Sequence, residues 1–199
     1  MLSDRLWYPT DKNFINGQWK EPESGSHIEL VNPSTGETIT NIAQGNNQDI
    51  ESSVSAAFNS MKGPWGQSTA VQRGRLLLRL SDLVKRRLDD LAYIESVDVG
   101  KPLTQSRNDA IALARYFEFY GGASDKITGE TIPYLNGYTV YTLREPHGVT
   151  GHIVPWNYPM QIIGRTLGAA LAMGNACVLK PSEEACLTAL AIGELAREA

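Results

Sequence analysis

The chain has 199 residues, 42% of them hydrophobic, and a formal net charge of −4. That length suits one domain or a domain and a half, and the composition is ordinary for a globular protein. Because the balance is acidic and the basic residues are scattered, neither nucleic acid nor a membrane is expected as a partner. The sequence has no basic segment followed by a short apolar one at its start and no bilayer-length apolar run, so a cytoplasmic protein is expected.

Two cysteines, Cys177 and Cys186, are too few for a disulfide framework. Neither has Cys or His neighbours at metal-ligand spacing, so no metal site is predicted. Cys177 lies within an apolar run, which favours a structural thiol. Cys186 precedes a predicted helix at a position compatible with partial exposure, and a plain surface or core residue is the preferred interpretation.

The N-terminal part of the sequence predicts a flexible segment and two hairpins. Residues 1–12 are mixed and polar, which is typical of a loosely held terminus. Asn16-Gly17 then suits the positive φ angles of a type I′ hairpin turn. A second hairpin is expected to join strands near 28–31 and 38–43.

Three amphipathic helices are predicted between residues 46 and 122. Asn46 or Asn47 is expected to cap the first helix. The second is the clearest on periodicity, because its apolar residues stay in line from Leu77 to Leu91. Its basic residues alternate with aspartates, which is more typical of a solvated face than of a phosphate-binding site. An aromatic stripe on the third helix is expected to lie in the core.

From Thr131 to Arg144 the sequence alternates again, before and after the turn signal Gly137. This pattern predicts a two-stranded β-ribbon. Apolar residues occur on both of its sides, and such a ribbon is poorly stable unless a partner covers it.

The last part of the sequence predicts a β-α-β unit and a further helix. A short apolar run at 151–154 ends at a proline, an amphipathic stretch with Pro159 in its first turn follows, and a second apolar run occupies 176–179. Strands joined through a helix are parallel. A helical pattern then begins at Leu187 and continues without a cap to Ala199.

Polar side chains follow both strands of this unit. Ligands of parallel sheets bind outside the carboxyl ends of the strands, so Trp156, Asn157, Lys180 and Glu183 are expected to face one crevice. A lysine donates and a glutamate accepts hydrogen bonds, as the hydroxyls of a ribose require. The Asn157 amide suits an oxygen that gains negative charge.

A plainer interpretation stays open beside this one. Asn157 would only cap the helix, and Lys180 and Glu183 would only form a solvated pair, which spacing alone favours. The usual dinucleotide fingerprint G-x-G-x-x-G is absent after the first strand.

The order and spacing of several motifs identify a family resemblance. The run Val154-Pro155-Trp156-Asn157-Tyr158-Pro159, then Gly174-Asn175, then Lys180-Pro181-Ser182-Glu183 resembles the NAD(P)-dependent aldehyde dehydrogenase superfamily. Upstream matches extend the resemblance over nearly the whole chain; they are Phe14-Ile15-Asn16-Gly17, Asn32-Pro33-Ser34-Thr35-Gly36-Glu37, Pro64-Trp65, Arg73-Gly74-Arg75-Leu76-Leu77, Gly100-Lys101-Pro102 and Glu145-Pro146-His147-Gly148-Val149.

The resemblance implies an α/β fold class. It implies an incomplete Rossmann-like, parallel-sheet dinucleotide-binding domain with N-terminal hairpins and helices and a projecting oligomerisation ribbon. Residues 13–127 would be the N-terminal part of the dinucleotide-binding domain, 128–147 the ribbon and 148–199 the start of the Rossmann-like NAD-binding βαβα unit. The catalytic domain would be absent. In the family the ribbon pairs with a neighbouring subunit, so a homodimer or homotetramer is expected of the full-length protein.

The resemblance also implies oxidation of an aldehyde to a carboxylic acid with NAD as hydride acceptor. Asn157 matches the family's amide that stabilises the oxyanion, and Lys180 and Glu183 match the positions that bind the adenosine ribose. Ser182 belongs to the same motif, and the remaining cofactor-binding positions are Ile153, Val154, Pro155 and Trp156. Because a carboxylate at Glu183 would repel a 2′-phosphate, NAD is expected over NADP.

The resemblance places the nucleophilic cysteine and the general-base glutamate outside these 199 residues. Neither Cys177 nor Cys186 lies in a matching motif, and the uncapped last helix suggests a truncated chain, so these residues alone are expected to be inactive. Two alternatives remain. One is a non-catalytic fragment that binds dinucleotides or oligomerises, and the other is a coenzyme-A-acylating relative.

Overall fold

The computed structural model describes residues 2–199, and after one turn of 3-10 helix it contains eight strands and six helices. The strands are β1 (Asn13–Ile15), β2 (Gln18–Lys20), β3 (His27–Val31), β4 (Thr38–Ala43), β5 (Thr131–Ile132), β6 (Val140–Tyr141), β7 (Val149–Val154) and β8 (Ala176–Pro181). The helices are α1 (Asn47–Lys62), α2 (Ala70–Arg86), α3 (Leu88–Val99), α4 (Leu103–Ala123), α5 (Pro159–Ala172) and α6 (Leu187–Glu198). Within this described range no helix has both the length and the apolar character needed to span a bilayer.

The predicted turn and cap residues lie where the sequence places them. Asn16 and Gly17 have φ angles of 55° and 71°, and β1 and β2 pair antiparallel around them. Asn46 caps α1 in a reciprocal arrangement with Asp49, in which each side chain accepts the backbone N–H of the other residue. Both local predictions are confirmed.

The segment predicted to be flexible contains two packed aromatic residues. Tyr8 is 6% exposed, and its hydroxyl donates a hydrogen bond to the carbonyl oxygen of Leu187 over 2.7 Å. The guanidinium of Arg87 lies 4.7 Å from the centre of the Trp7 ring. Aromatic burial therefore ties this stretch to the body of the protein, whereas Met1 lies outside the described residues.

The prediction of one long helix from Leu77 onwards is wrong, because the helix is interrupted at Arg87. The Arg87 N–H is shared between the carbonyl oxygens of Leu83 and Val84, and a new helix, α3, starts at the next residue. Leucines of both helices pack into the same core, so the apolar spacing runs across the break without revealing it.

The core forms where α4 packs between α2 and α5. At the contact with α2, a Cβ atom on Gly74 would lie 2.6 Å from the carbonyl oxygen of Gly121, so only glycine permits this approach. The aromatic stripe of α4 is buried only in part. Phe117 is fully buried, whereas Tyr116 and Tyr120 are half-buried against the glycines of α5.

The β-ribbon is much shorter than predicted. Strands β5 and β6 pair through only two residue pairs, Thr131 with Tyr141 and Ile132 with Val140. The loop between them leaves Tyr134 and Tyr138 67% and 69% exposed, with their rings in edge contact. Large aromatic side chains are thus presented on a small scaffold.

Candidate functional site

Strands β7 and β8 form a parallel pair joined through α5, as the sequence predicted. The register places Ile153 opposite Lys180 and Val154 opposite Pro181. Each strand is two residues longer than the predicted core run, β7 at its start and β8 at its end. Both strands therefore end at the same edge of the pair, and the segments that follow them leave side by side.

The turn between α5 and β8 brings several of the recognised motifs together. Gly174 has a φ of 87°, a left-handed conformation that ends the helix. The side chain of Asn175 accepts the N–H of Gly148 at 3.1 Å and donates to the carbonyl of Ala170 at 3.0 Å. The indole N–H of Trp65 donates to the Asn175 carbonyl at 3.1 Å. These bonds fix where β8 begins relative to β7.

Asn157 lies in the exposed exit from β7 and does not cap the following helix. The N-cap of α5 is Tyr158, and no side chain there accepts a helix N–H. Among the described residues, the Asn157 side chain has no hydrogen-bond partner and is exposed. The interpretation of Asn157 as an N-cap is therefore wrong, and its amide N–H is available to donate to another molecule.

Lys180 and Glu183 meet at the exit from β8. The Lys180 Nζ lies 3.0 Å from Glu183 Oε2, and both side chains are more than half exposed. The backbone N–H of Glu183 and then Lys180 lower the pKa of this carboxyl below its ordinary value. The backbone N–H of Glu184 lies 3.3 Å from the Ser182 hydroxyl, which accepts its hydrogen bond and steadies the turn. An ionised acceptor and a cationic donor thus stand together at the surface.

The four residues predicted to line a cofactor cleft are divided between surface and core. Ile153 and Trp156 are 84% and 58% exposed, and Pro155 between them is also exposed. Val154 is 2% exposed and packs in the hydrophobic core. Side chains of a strand alternate between faces, so Ile153 faces the open side while Val154 faces the core.

Sequence reasoning missed a buried ionic group beneath the exit from β7. The Nζ of Lys101 lies 2.7 Å from Glu95 Oε1 and 2.6 Å from Asp109 Oδ2, and both carboxylates are fully buried. Its third polar contact is the carbonyl oxygen of Asn157 at 3.5 Å, a long hydrogen bond. The same nitrogen lies 4.9 Å from the centre of the Tyr158 ring.

Neighbouring helices satisfy the other carboxylate oxygens of this group. Thr188 of α6 donates to Glu95 Oε2 at 3.0 Å, while Gln105 of α4 and Gln161 of α5 donate to Asp109 Oδ1 at 2.9 and 2.7 Å. We call these six residues the Lys101 cluster: Glu95, Lys101, Gln105, Asp109, Gln161 and Thr188.

Burial raises the pKa of Glu95, and Lys101 opposes that shift. Burial alone would lower the pKa of Lys101, but the two carboxylates outweigh it and raise the pKa. An acidic residue on the apolar face of α3, beside Ile94, was the available sequence signal for this cluster.

The two cysteines lack the properties of a nucleophile. Cys186 is 4% exposed, and burial raises its pKa strongly. Burial also raises the pKa of Cys177, which lies in β8 beside the hydroxyl of Thr150. Reactive cysteines are accessible thiolates of low pKa, and neither the half-buried Cys177 nor the buried Cys186 has that environment.

Comparison with known proteins gives matches over nearly all of the chain. A model of the aldehyde dehydrogenase family matches residues 19–199. The chain is 41% identical to hydroxyisobutyraldehyde dehydrogenase of Mycolicibacterium austroafricanum, over 94% of this chain and 37% of that protein. It is 44% identical to the mitochondrial aldehyde dehydrogenase family 2 member B4 of Arabidopsis thaliana, over 93% of this chain and 35% of that protein.

Among solved structures, the fold is similar to that of an aldehyde dehydrogenase from Bacillus cereus in complex with NAD+. The TM-score is 0.95 at 35% sequence identity, and the match covers 99% of this chain and 40% of that one. The chain therefore spans little more than a third of the length of the curated relatives it matches, at 37% and 35%.

Proposed function

Since the chain belongs to the aldehyde dehydrogenase family, we propose that the protein carrying it oxidises an aldehyde to a carboxylic acid with NAD as the hydride acceptor. The single observation that carries this proposal is the parallel register of β7 and β8, which places Asn157, just after β7, and Lys180, near the end of β8, at one edge of the pair. Ligands of parallel α/β sheets bind at that edge.

Asn157 would donate its side-chain N–H to the carbonyl oxygen of the aldehyde. That oxygen gains negative charge when a nucleophile adds to the carbonyl carbon, and a donor already in place stabilises the charge without reorganisation. Two features support this role: the amide has no partner among the described residues, and it stands before the N-terminus of α5, where the helix dipole favours an anion.

The residues at the exit from β8 fit the ribose of a dinucleotide. Lys180 would donate to one hydroxyl and Glu183 would accept from another. Their head groups lie 3.0 Å apart, so both can reach the same sugar. Ile153, Pro155 and Trp156 would supply the apolar wall of the cleft, with Val154 and Ser182 holding the two exits in shape. When bound, NAD supplies the acceptor for the hydride that leaves the reacting carbon.

We propose that NAD is preferred over NADP. A glutamate is ionised at neutral pH, and the backbone N–H and Lys180 lower the pKa of Glu183 further. A charged carboxylate accepts a hydrogen bond from a free 2′-hydroxyl and repels a 2′-phosphate.

In the complete protein, β7 and β8 would be two strands of a larger Rossmann-like sheet. Residues 148–199 would form the start of the NAD-binding βαβα unit, and residues 13–127 the N-terminal part of the same dinucleotide-binding domain. The ribbon at 128–147, with its exposed Tyr134 and Tyr138, would pair with another copy of the chain in a homodimer or homotetramer.

The nucleophile would come from outside the 199 residues, since burial suppresses the thiolate of both Cys177 and Cys186. The chain by itself would then serve as part of the dinucleotide-binding domain and show no dehydrogenase activity.

The proposed reaction is tested by following NADH formation with a panel of aldehydes. The enzyme assayed is the full-length protein, in which this sequence is joined to the remainder that its relatives possess. Aldehyde-dependent NADH formation with release of the matching acid is the expected result. If no aldehyde in the panel is oxidised with either NAD or NADP, the proposed function is wrong.

A further inference from the structure

We propose that Lys101 is a positioning residue that holds the Asn157 backbone, so that the Asn157 amide points at the reacting carbonyl oxygen. This inference rests on the proposed function, because it assigns a purpose to Lys101 through the oxyanion donor. Lys101 itself touches neither substrate nor cofactor. It acts through the peptide carbonyl of Asn157, 3.5 Å from its Nζ.

The geometry of the ammonium supports this role. A lysine ammonium has three N–H donors, and two of them are committed to the buried carboxylates of Glu95 and Asp109. The Asn157 carbonyl, 3.5 Å from the nitrogen, is the acceptor available to the third, and the Tyr158 ring lies beside the same nitrogen. The ammonium therefore contacts the backbone of Asn157 and the side chain of the next residue.

Few other contacts hold the segment after β7 that presents the Asn157 side-chain amide. Residues 155–158 are exposed, and no side chain caps α5. The Tyr158 carbonyl accepts the N–H of Ile162 at 3.0 Å, which anchors only the helical end of the segment. An ammonium whose side chain is 12% exposed and fixed by two carboxylates is a rigid anchor at Asn157 itself, one residue before that point.

A purely structural role explains the Lys101 cluster less well. Taking charges out of water costs about as much as their attraction returns, so apolar side chains of similar volume would join these helices equally well. Apolar side chains would lack the donor that reaches the surface segment. The cluster also contains every hydrogen-bond partner its own carboxylates need, so the contact with Asn157 is an addition to it.

A double-mutant cycle in the full-length enzyme tests the inference. Lys101→Met is combined with Glu95→Gln and Asp109→Asn, so that no unpaired carboxylate is left buried, and this triple variant is made with and without Asn157→Ala. Misplacing a catalytic group by about 1 Å costs up to about 100-fold in rate, and we expect kcat to fall about tenfold with the NAD KM within about twofold. The matched control is Lys85→Met, which removes an exposed lysine of α2 and should leave kcat unchanged.

Comparing the triple change with and without Asn157→Ala distinguishes a positioning role of Lys101 from a purely structural one. If Lys101 acts through Asn157, the triple change should cause almost no further loss of kcat once Asn157 is alanine, because effects within one unit are not additive. Equal losses in the two backgrounds, or unchanged kcat in the triple variant alone, would overturn the inference.

Hydrogen exchange gives a second readout that needs no activity. We expect the Ile162 amide, which donates to the Tyr158 carbonyl at 3.0 Å, to exchange faster in the triple variant than in the parent, while the amides of β7 keep their rates. Unchanged exchange at Ile162 would also overturn the inference. Absence of aldehyde oxidation in the parent enzyme would instead remove the proposed function, and the exchange rates would still report whether Lys101 holds the segment.

Discussion

Ile153 and Lys180 are direct partners across the parallel strands β7 and β8, so their side chains lie on the same face of the pair. Ile153 is 84% exposed, and the Lys180 ammonium is paired with Glu183 at the surface. An apolar surface thus adjoins a donor and an acceptor. That combination suits a ligand with a flat apolar ring attached to a sugar.

Replacement of Asn157 tests the oxyanion donor. We expect Asn157→Ala to lower turnover of the full-length enzyme by about 10²- to 10³-fold, because one donor to the developing charge is lost. The Kd for NAD should stay nearly unchanged, since the amide contacts the substrate oxygen rather than the ribose. Steady-state kinetics and NAD titration give the two values. Asn59→Ala, on the exposed side of α1, is the matched control, and unchanged turnover in Asn157→Ala would remove the assignment.

Replacement of Glu183 tests the cofactor preference. Glu183→Gln removes the charge that accepts from the 2′-hydroxyl and repels a 2′-phosphate. We expect kcat/KM for NAD to fall about tenfold, as the loss of a charge-assisted hydrogen bond implies, and the ratio of NADP to NAD use to rise. Titration of both cofactors measures the change. Glu51→Gln, an exposed residue of α1, should alter neither, and tighter NADP binding by the parent would contradict the assignment.

Two helical glycines, the buried Gly74 of α2 and the exposed Gly122 of α4, make a matched pair for testing stability. A methyl group at Gly74 would lie 2.6 Å from the carbonyl oxygen of Gly121, whereas one at Gly122 would meet nothing within 4 Å. Gly74→Ala should therefore cost about 1–3 kcal/mol of unfolding free energy through overpacking. Gly122→Ala should be neutral or stabilise by up to about 1 kcal/mol, because alanine is the better helix former. Urea unfolding measures both, and equal effects would show that α2 and α4 do not approach so closely.

The buried carboxyl of Asp98 is expected to make the free energy of unfolding depend on pH. Burial raises its pKa from 3.8 to about 8, although the N–H of Leu187 opposes the shift. Between those two values the folded protein keeps a proton that the unfolded chain has lost, so the free energy of unfolding falls as pH rises, by at most about 1.4 kcal/mol per pH unit. Asp98→Asn should flatten this dependence and raise stability at neutral pH.

Urea unfolding of the Asp98 variant at several pH values across that window checks the sign. Asp82→Asn, which changes an exposed carboxylate on α2, should keep the slope of the parent. A parent protein whose stability rises from mildly acidic to neutral pH, with the same rise in Asp98→Asn, would contradict the burial of an uncharged carboxyl at this position.

The sequence predicted the features that depend on neighbouring residues. The turn at Asn16, the cap at Asn46 and the β-α-β unit before Lys180 follow from local backbone preferences and apolar spacing, and each is confirmed. The break at Arg87 escaped the same reasoning because its flanking leucines keep one spacing on both sides.

The candidate site was predicted only in part, because some of its contacts join residues that are far apart in the sequence. Lys180 and Glu183 are three residues apart, so their pairing is readable from the chain. Lys101 contacts Asn157, which is 56 residues away, and no local pattern encodes that contact. Likewise the side chain of Val154 lies in the core because of how β7 packs, which spacing alone does not reveal.

The parallel pair of β7 and β8 contains only two strands within residues 2–199. Each strand therefore has one lateral row of N–H and C=O groups with no strand beside it. Such a row accepts whichever extended segment reaches it first, whether from the same polypeptide or from a second molecule. We therefore expect this stretch of protein, when handled alone at high concentration, to form intermolecular sheets.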